Sequence, residues 1–349
     1  MREPTPERTL PPSPVVRMVV PCRNEREYIG PLLESVVNAD REGMKVEVDI
    51  CDGMSEDGTR GIIERYAAQH PWVRLVDNPE RTTPQAINLG FRRGTFDVGI
   101  LMGAHAEIAP DFFRNNLRAL DAHPDAGCVG GVITNVYAND VSRAIGAAMS
   151  SPVGVGNAHF RTGLRTGPVD TVAFGAYRRE VFDKVGWFDE RLVRNQDDEF
   201  NYRVLRAGYH IWLVTDIRCA YHVRAGFDKL FRQYRQYGFW KVYVNRLHGT
   251  ITTWRQVVPA LFVLFVLAGG MLCAFYPVLR SAYLGILIIY VVLVFLAGVR
   301  AASSWVDRFR VAWAIFILHS AYGIGYLEGV LRFLVLRQEP HSSAARSTR

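Results

Sequence analysis

The sequence predicts an α/β domain built on a parallel sheet, followed by an interfacial segment and membrane-spanning helices. Three observations predict it. Between Val15 and Met102, short apolar runs alternate with segments of helical periodicity. Between residues 226 and 256, basic side chains interleave with aromatic ones. From Val257 onward, three long apolar runs follow one another.

Residues 1–14 are Pro-rich and polar and read as a disordered tail, as do residues 336–349. Val15–Val20 is a short apolar strand ending at Pro21. Ile29–Ala39 puts Ile29, Leu32, Leu33, Val36 and Val37 on one helical face. Val46–Cys51 is a second strand, closed by the turn formers of Asp52-Gly-Met-Ser-Glu-Asp-Gly-Thr59. Gly61–Gln69 is a helix, Val73–Asp77 a strand, Pro84–Arg93 a helix and Val98–Met102 a fourth strand. This alternation argues for βαβ units over a domain spanning 15–225.

In such sheets, ligands bind outside the carboxyl ends of the strands. Those ends are Pro21-Cys22-Arg23-Asn24-Glu25, Asp52-Gly53 and Gly103-Ala104-His105. No GxGxxG follows a strand, so a dinucleotide-binding dehydrogenase is not supported, and no GxxxxGKS or GxxxxGKT occurs, so a P-loop is excluded. A nucleotide must be gripped by side chains instead of a glycine cradle.

Val257–Tyr276, Tyr283–Val299 and Val311–Leu327 make up a membrane region over 257–335, the third run containing His319 and followed by Glu328 and Arg332. Before them, Lys229, Arg232, Arg235, Lys241, Arg246 and Arg255 alternate with Phe231, Tyr234, Tyr237, Phe239, Trp240 and Tyr243. The chain's formal charge is +7. Such a composition suits either anionic headgroups or nucleic acid, and the adjoining apolar runs select the membrane. The N-terminus has no apolar signal segment, so the domain is expected in the cytoplasm, on a multi-pass inner-membrane anchor. Five scattered cysteines fit a reducing compartment and argue against a zinc site.

Asn195-Gln-Asp197-Asp198-Glu199-Phe-Asn-Tyr-Arg203 packs three acids just ahead of an arginine. One reading is an acidic helix N-terminus favoured by the helix dipole. The other is a carboxylate placed to accept a proton, with Arg203 pairing an acid one turn back.

These motifs resemble glycosyltransferase family 2, whose members are inverting enzymes with a GT-A fold. Val19-Val-Pro-Cys-Arg-Asn-Glu25 looks like that family's first-strand signature. Asp52-Gly-Met-Ser-Glu-Asp-Gly-Thr59 looks like its aspartate loop, and Asn88-Leu-Gly-Phe-Arg-Arg-Gly94 like its asparagine-glycine helix. Ser150-Ser-Pro-Val-Gly-Val-Gly-Asn157, Asp170-Thr-Val-Ala-Phe-Gly175, Arg194–Asn201 and Arg232–Trp240 resemble the ExoA-type glucosyltransferases of succinoglycan biosynthesis. The resemblance implies Asp197 as general base, with Asp198 and Glu199 as acidic neighbours. It implies Pro21, Arg23, Glu25, Asp52 and Asn88 around the nucleotide-sugar donor. It also implies a polyprenyl-linked acceptor, exopolysaccharide synthesis and no nucleic-acid partner.

Two positions depart from the family. Its Asp-x-Asp metal motif is Gly103-Ala104-His105, and its Glu-Asp pair is Gln196-Asp197. A divalent metal, Mn2+ or Mg2+, would have to use His105, with Glu107 or His222 as co-ligand. Without it, Arg178, Arg179 or Arg224 would neutralise the leaving diphosphate. Three other functions stay open on these residues. They are a polyprenyl-phosphate sugar synthase, a non-catalytic nucleotide-sugar or lipid-binding protein, and a transporter.

Overall fold

A computed structural model describes residues 9–156, 158–163, 165–223, 225–252 and 254–340. The chain divides into two compact units. One is built from residues up to Thr134 and from His159–Tyr221, the other from Asn135–Ala158 and the residues from His222 onward. The expected contiguous domain over 15–225 is therefore interrupted: Asn135–Ala158 groups with the helical C-terminal part.

In the first unit the expected alternation is present. It runs β1 (Val15–Cys22), α1 (Ile29–Val37), β2 (Lys45–Asp52), α2 (Thr59–Gln69), β3 (Val73–Asp77), α3 (Thr83–Arg92) and β4 (Val98–Leu101). β1 pairs in parallel with β2 and β4, and β2 with β3. There follow β5 (Ala106–Ile108), α4 (Phe112–Ala122), β6 (Ala126–Val136), α5 (Asp140–Met149), α6 (Pro152–Val155), α7 (His159–Thr162), β7 (Gly167–Val169), β8 (Ala173–Arg178), α8 (Arg179–Val185), α9 (Gln196–Arg206) and β9 (His210–His222). The sheet order is β3-β2-β1-β4-β8-β6-β9-β5, with β7 on β9. β8 runs antiparallel to β4, so the parallel half ends there.

The face read from the sequence is the buried one: Ile29, Leu32, Leu33 and Val36 are fully enclosed. Each such side chain contributes about 1.5–3 kcal/mol by leaving water. The sheet also buries charge. Arg17 is enclosed and donates to Asp49 at 2.6 Å and to Glu47. Arg74 donates to Asp49 at 2.9 Å and to Glu47 at 2.8 Å. Two acids thus serve two arginines, and neither buried sign is left without its opposite.

The second unit holds α5, α6 and four long helices: α10 (Phe227–His248), α11 (Val258–Phe275), α12 (Arg280–Ala301) and α13 (Trp305–Gly329). A π-helical turn, Val330–Val335, continues α13. Three stretches are long and apolar enough to cross a membrane: Trp254–Phe275, Pro277–Ala301 and Trp305–Val335. The first two expose most of their surface, whereas the third is half buried. Much of its burial comes from α10, with α11, α12 and α5 covering the rest. A Cβ on Gly238 would lie 2.0 Å from the Tyr322 carbonyl oxygen, and one on Gly325 1.9 Å from that of Arg235. The two helices meet backbone to backbone, which only glycine allows. Lys241, expected among headgroup-facing cations, is instead enclosed in this unit.

The charge cluster makes a pH-dependent contribution to stability. The Lys45 ammonium, at 2.8 Å, is the largest cause holding the Glu47 carboxyl down at about 2, against its burial and with help from Arg74 and Arg17. The folded value lies below the unfolded one, near 4.3. The contribution is therefore complete above the unfolded value and is lost as pH falls through the folded one. The thermal midpoint should fall more steeply between about pH 4.5 and 2 in the wild type than in Glu47→Gln. Parallel curves for the two proteins would remove Glu47 from this account.

Candidate active site

The loops leaving β1 and β2 are stitched together. Gly53 N–H donates to the Cys22 carbonyl at 2.7 Å, and Asn24 N–H to Ser55 Oγ at 2.7 Å. Glu56 N–H donates to Asn24 Oδ1 at 3.0 Å, and Glu25 N–H to Thr59 Oγ1 at 2.8 Å. Asn24 and Met54 sit in the left-handed region, at φ 54° and 58°, so that the two loops can turn toward each other.

Asp52 is the hub. Its carboxylate is fully enclosed. Oδ2 accepts from Ser55 N–H at 2.9 Å and from Arg60 Nη1 at 2.9 Å, and Oδ1 accepts from the Ser55 hydroxyl. Arg60 reaches on to Asp77, at the end of β3, at 2.8 Å. Both oxygens thus carry internal donors, so Asp52 organises this loop. The Arg23 side chain lies along Gly53, whose added Cβ would stand 3.1 Å from it. Pro21 is within β1, opposite Cys51.

Past β4, the triplet Gly103-Ala104-His105 lies at the same edge. His105 Nε2 is 3.0 Å from Glu25 Oε2, and its ring packs on Tyr28 at 4.4 Å between centroids. Ala106 and Ile108 point into the core, so His105 and Glu107 share the other face of this strand. His222 closes β9 and belongs to the second unit. The expected trio of His105, Glu107 and His222 is not assembled: among the described residues, no three His, Cys, Asp or Glu side chains are gathered to hold a metal ion. Glu25, not a second metal ligand, is the acidic partner of His105. Chemically, an outward-facing imidazole beside a carboxylate offers one ligand to a divalent cation, the remaining positions being left to phosphate and water.

The acidic run begins α9, as expected. Asn195 precedes it in the left-handed conformation, φ 60°. Asp197 is exposed and Asp198 half-buried. Glu199 is buried and clamped by Arg203 through two bonds, 2.7 and 2.8 Å, the pairing one turn apart that the spacing implies. Glu199 is thus a structural anchor and not an open neighbour of Asp197. Behind it, Asn201 donates to Thr171 Oγ1 at 3.0 Å and accepts from the Tyr177 hydroxyl at 2.9 Å. These contacts join the Asp170–Gly175 motif to α9. Burial pushes the Tyr177 phenol well up, so it stays a donor.

Several expectations change. Asn88 is buried. Its amide donates to the Phe188 carbonyl and Glu190 Oε1, both at 2.8 Å, and accepts from Phe188 N–H at 3.0 Å. It clamps the segment before α9 and has no polar atom turned to a donor. Arg178 pairs with Val98, at the start of β4, the opposite end from His105, and donates to the Ala126 and Leu120 carbonyls. Arg179 follows it and pairs with Asp183 at 2.8 Å. Neither stands at the carboxyl edge, and Arg224 lies outside the described residues. Phe174, which sequence reasoning passed over, has φ 52°, and its ring would lie 2.9 Å from a Cβ on Gly103. No sequence signal marks an aromatic residue for that conformation.

A parallel half-sheet with two stitched loops, an imidazole at the third strand end and an acid-tipped helix make up a GT-A fold. Residues 18–186 match the family model described as Glycosyl transferase family 2. The succinoglycan biosynthesis protein ExoA of Rhizobium meliloti is 31% identical over 69% of this chain and 73% of its own length. A dolichyl N-acetylglucosaminyl phosphate diacetamido-dideoxyglucuronosyltransferase of Methanococcus voltae is 24% identical over 91% of this chain and 97% of its own. The fold matches the mannosyltransferase PcManGT of Pyrobaculum calidifontis, solved with GDP-Man and Mn2+. The TM-score is 0.60 at 18% identity, over 94% of this chain and 91% of that one. The chain belongs to glycosyl transferase family 2 and is a glycosyltransferase.

Asp52→Ala should strip Ser55 of its acceptor and leave Arg60 with Asp77 alone. The expected loss is about 1–3 kcal/mol of stability, the cost of leaving a buried donor unsatisfied, read as a lower thermal midpoint. A thermal midpoint equal to wild type would show that Asp52 does not hold the loop.

Proposed function

We propose that this chain is an inverting, membrane-anchored hexosyltransferase of exopolysaccharide assembly. It moves a sugar from a nucleotide-sugar, UDP-glucose by its likeness to the succinoglycan protein, to a hydroxyl of a polyprenyl-linked acceptor. The observation that carries this reading is the division of labour along α9. Asp197 is exposed at the helix tip while Glu199 is locked from behind. An exposed carboxylate on a fixed helix is suited to accept the hydroxyl proton as the acceptor oxygen attacks the anomeric carbon. The stitched loops at Arg23–Glu25 and Asp52–Thr59 supply the donor end. Manganese or magnesium at His105, with Glu107 along the same face, would supply counter-charge to the leaving diphosphate.

The acceptor reading rests on α11 and α12, whose exposed apolar surfaces suit a bilayer. We place the catalytic unit on the cytoplasmic side of the inner membrane. Arg300, Arg308 and Arg310 lie at the α12–α13 end, against Arg280 at the α11–α12 turn, in accord with the positive-inside rule. The turn at Ala302–Ser304 is shorter than the loop expected over 300–310, because α13 already starts at Trp305.

Detergent-purified protein given a panel of nucleotide sugars, with and without manganese, should release nucleotide only with its own donor and acceptor. Asp197→Asn keeps the size but cannot take the proton, so turnover should drop about 10²–10⁴-fold with donor affinity retained. Near-normal turnover in that variant would sink the base assignment. For topology, Ser281→Cys in a background lacking native cysteines should react with an impermeant thiol reagent on intact cells. Reaction only after lysis would reverse the orientation.

A further inference from the structure

We propose that α13, the third apolar helix, does not cross the bilayer. It lies at the membrane surface on the catalytic unit's side and presses one stripe of apolar side chains into the boundary between headgroups and acyl chains. The α11–α12 hairpin is then the whole transmembrane anchor, and Gln338, beyond α13, stays on the side of the catalytic unit. The proposal rests on the membrane-anchored reading above.

α13 meets charged or chain-tethered partners along its length. Near its start, Arg310 lies 3.6 Å from Asp140 of α5. At its middle, His319 Nε2 is 2.9 Å from the Val153 carbonyl oxygen of α6. Further on, Glu328 accepts from Arg235 of α10 at 3.0 Å, and the Gln338 carbonyl accepts from Arg246 at 2.9 Å. α5 and α6 sit in the chain between β6 and β7. Residues 135–158 cannot cross a bilayer and return, which takes about 40 apolar residues. α10 follows β9, carries Asp228, Arg232, Arg235 and Arg246, and is not apolar enough to cross. From Arg310 to Glu328 an α-helix rises about 27 Å, nearly the whole hydrocarbon core of about 30 Å. Upright, α13 would carry one of its two ion pairs away from the side that holds both partners.

The hairpin meets α13 only at its base. The buried residues of α11 are Ala260 and Val263, and those of α12 are Val294, Ala297 and Gly298. Gly298 has no room for a Cβ against the Arg308 carbonyl. In an upright antiparallel pair, Gly323 would then face Tyr283, near the tip of the hairpin. Gly323 instead has no room for a Cβ against the Pro259 carbonyl, at the start of α11. Tyr283 packs on Phe265 and donates to the Val266 carbonyl at 2.9 Å. α13 thus slants across the ends by which α11 and α12 enter the membrane, reaching up only as far as the contact of His319 with Tyr290.

The uncovered face of α13 fits an acyl surface. Phe309, Trp313, Phe316, Ile324, Leu331 and Leu334 follow helical spacing and are between 37% and 61% exposed. The opposite face is covered by α5, α6 and α10, so the helix is apolar on both sides without spanning. Because the stripe adjoins the two spans, its occupant is the same bilayer. Trp305 and Trp313 suit the headgroup level. This placement also keeps Arg332 and Arg337 on the side of Arg300, Arg308 and Arg310, where a third crossing would strand them opposite.

The test places single cysteines in the full chain, in a background lacking the native ones. Ser13→Cys reports the catalytic side, Ser281→Cys the hairpin tip and Gln338→Cys the end of α13, all at exposed positions. An impermeant thiol reagent is applied to intact cells and again after lysis, and labelling in detergent confirms each variant. Gln338→Cys should label with Ser13→Cys and opposite to Ser281→Cys. Labelling of Gln338→Cys together with Ser281→Cys overturns the proposal and leaves the anchor standing. If Ser13→Cys and Ser281→Cys behave alike, the hairpin does not cross and the anchored reading falls with it. Spin labels at Phe309→Cys, Phe316→Cys, Ile324→Cys and Leu331→Cys, in vesicles of anionic and neutral phospholipid, should all sit about 5–10 Å deep. A spanning helix would instead move them through about 33 Å of depth. Labels shielded from both oxygen and a water-soluble nickel chelate would show a protein surface, such as a second copy, covering the stripe, and would overturn the lipid assignment.

Discussion

A carboxylate shut away from water must be met by donors, and at Asp52 that requirement shapes the whole carboxyl edge of the sheet. With no exposure, its charge is tolerable only because Ser55 and Arg60 converge on it. To bring Ser55 back, the chain passes through Met54 in a left-handed conformation. Once turned back, Ser55 and Thr59 offer side-chain oxygens to the β1 loop, at Asn24 and Glu25. Glu25 in turn meets His105 beyond β4. Two strand ends are tied by these hydrogen bonds around one buried acid, and His105 at a third stands within ion-pair reach of Glu25. Removal of solvent strengthens each link and makes each costly to leave unmade.

The acid-bearing helix shows the same economy of charge. Three adjacent carboxylates would repel one another if all were open. Arg203 takes Glu199, and its remaining donors reach the Val185 and Trp187 carbonyls at 2.5 and 2.8 Å. Its guanidinium also lies 5.0 Å from the Phe200 ring centre. One arginine thus ties the helix to the segment before it and removes one negative charge from the cluster. Asp197, at the helix N-terminus, benefits from the helix dipole.

The helical unit is organised by close approach more than by apolar area. α10 and α13 touch where Gly238 and Gly325 present no side chain. Residues that look interfacial by composition are then drawn inside, Lys241 and Tyr243 among them, with the Tyr243 hydroxyl donating to Glu339 at 3.2 Å. α5 and α6 join this unit because the chain between β6 and β7 leaves the sheet. In it, His319 Nε2 lies 2.9 Å from the Val153 carbonyl oxygen and Nδ1 3.0 Å from the Tyr290 hydroxyl. An ionisable residue inside the third apolar run is thereby given two polar partners.

The sequence by itself determined the parallel strands, the helices between them, the apolar runs and the acid-to-arginine spacing that pairs Glu199 with Arg203. Each of these follows from periodicity or local spacing, where neighbours in sequence are neighbours in space. It also marked Asp52 and His105, since strand ends are where a parallel sheet exposes chemistry. Only the tertiary structure decided what those side chains face. It gave Asn88 to Phe188, a hundred positions on. It put Arg178 at the wrong end of β4, because β8 runs antiparallel there. It gave Glu25 to His105 and closed Gly103 with Phe174. These are pairings between distant segments, set by sheet order and strand direction, and no local pattern in the chain encodes them.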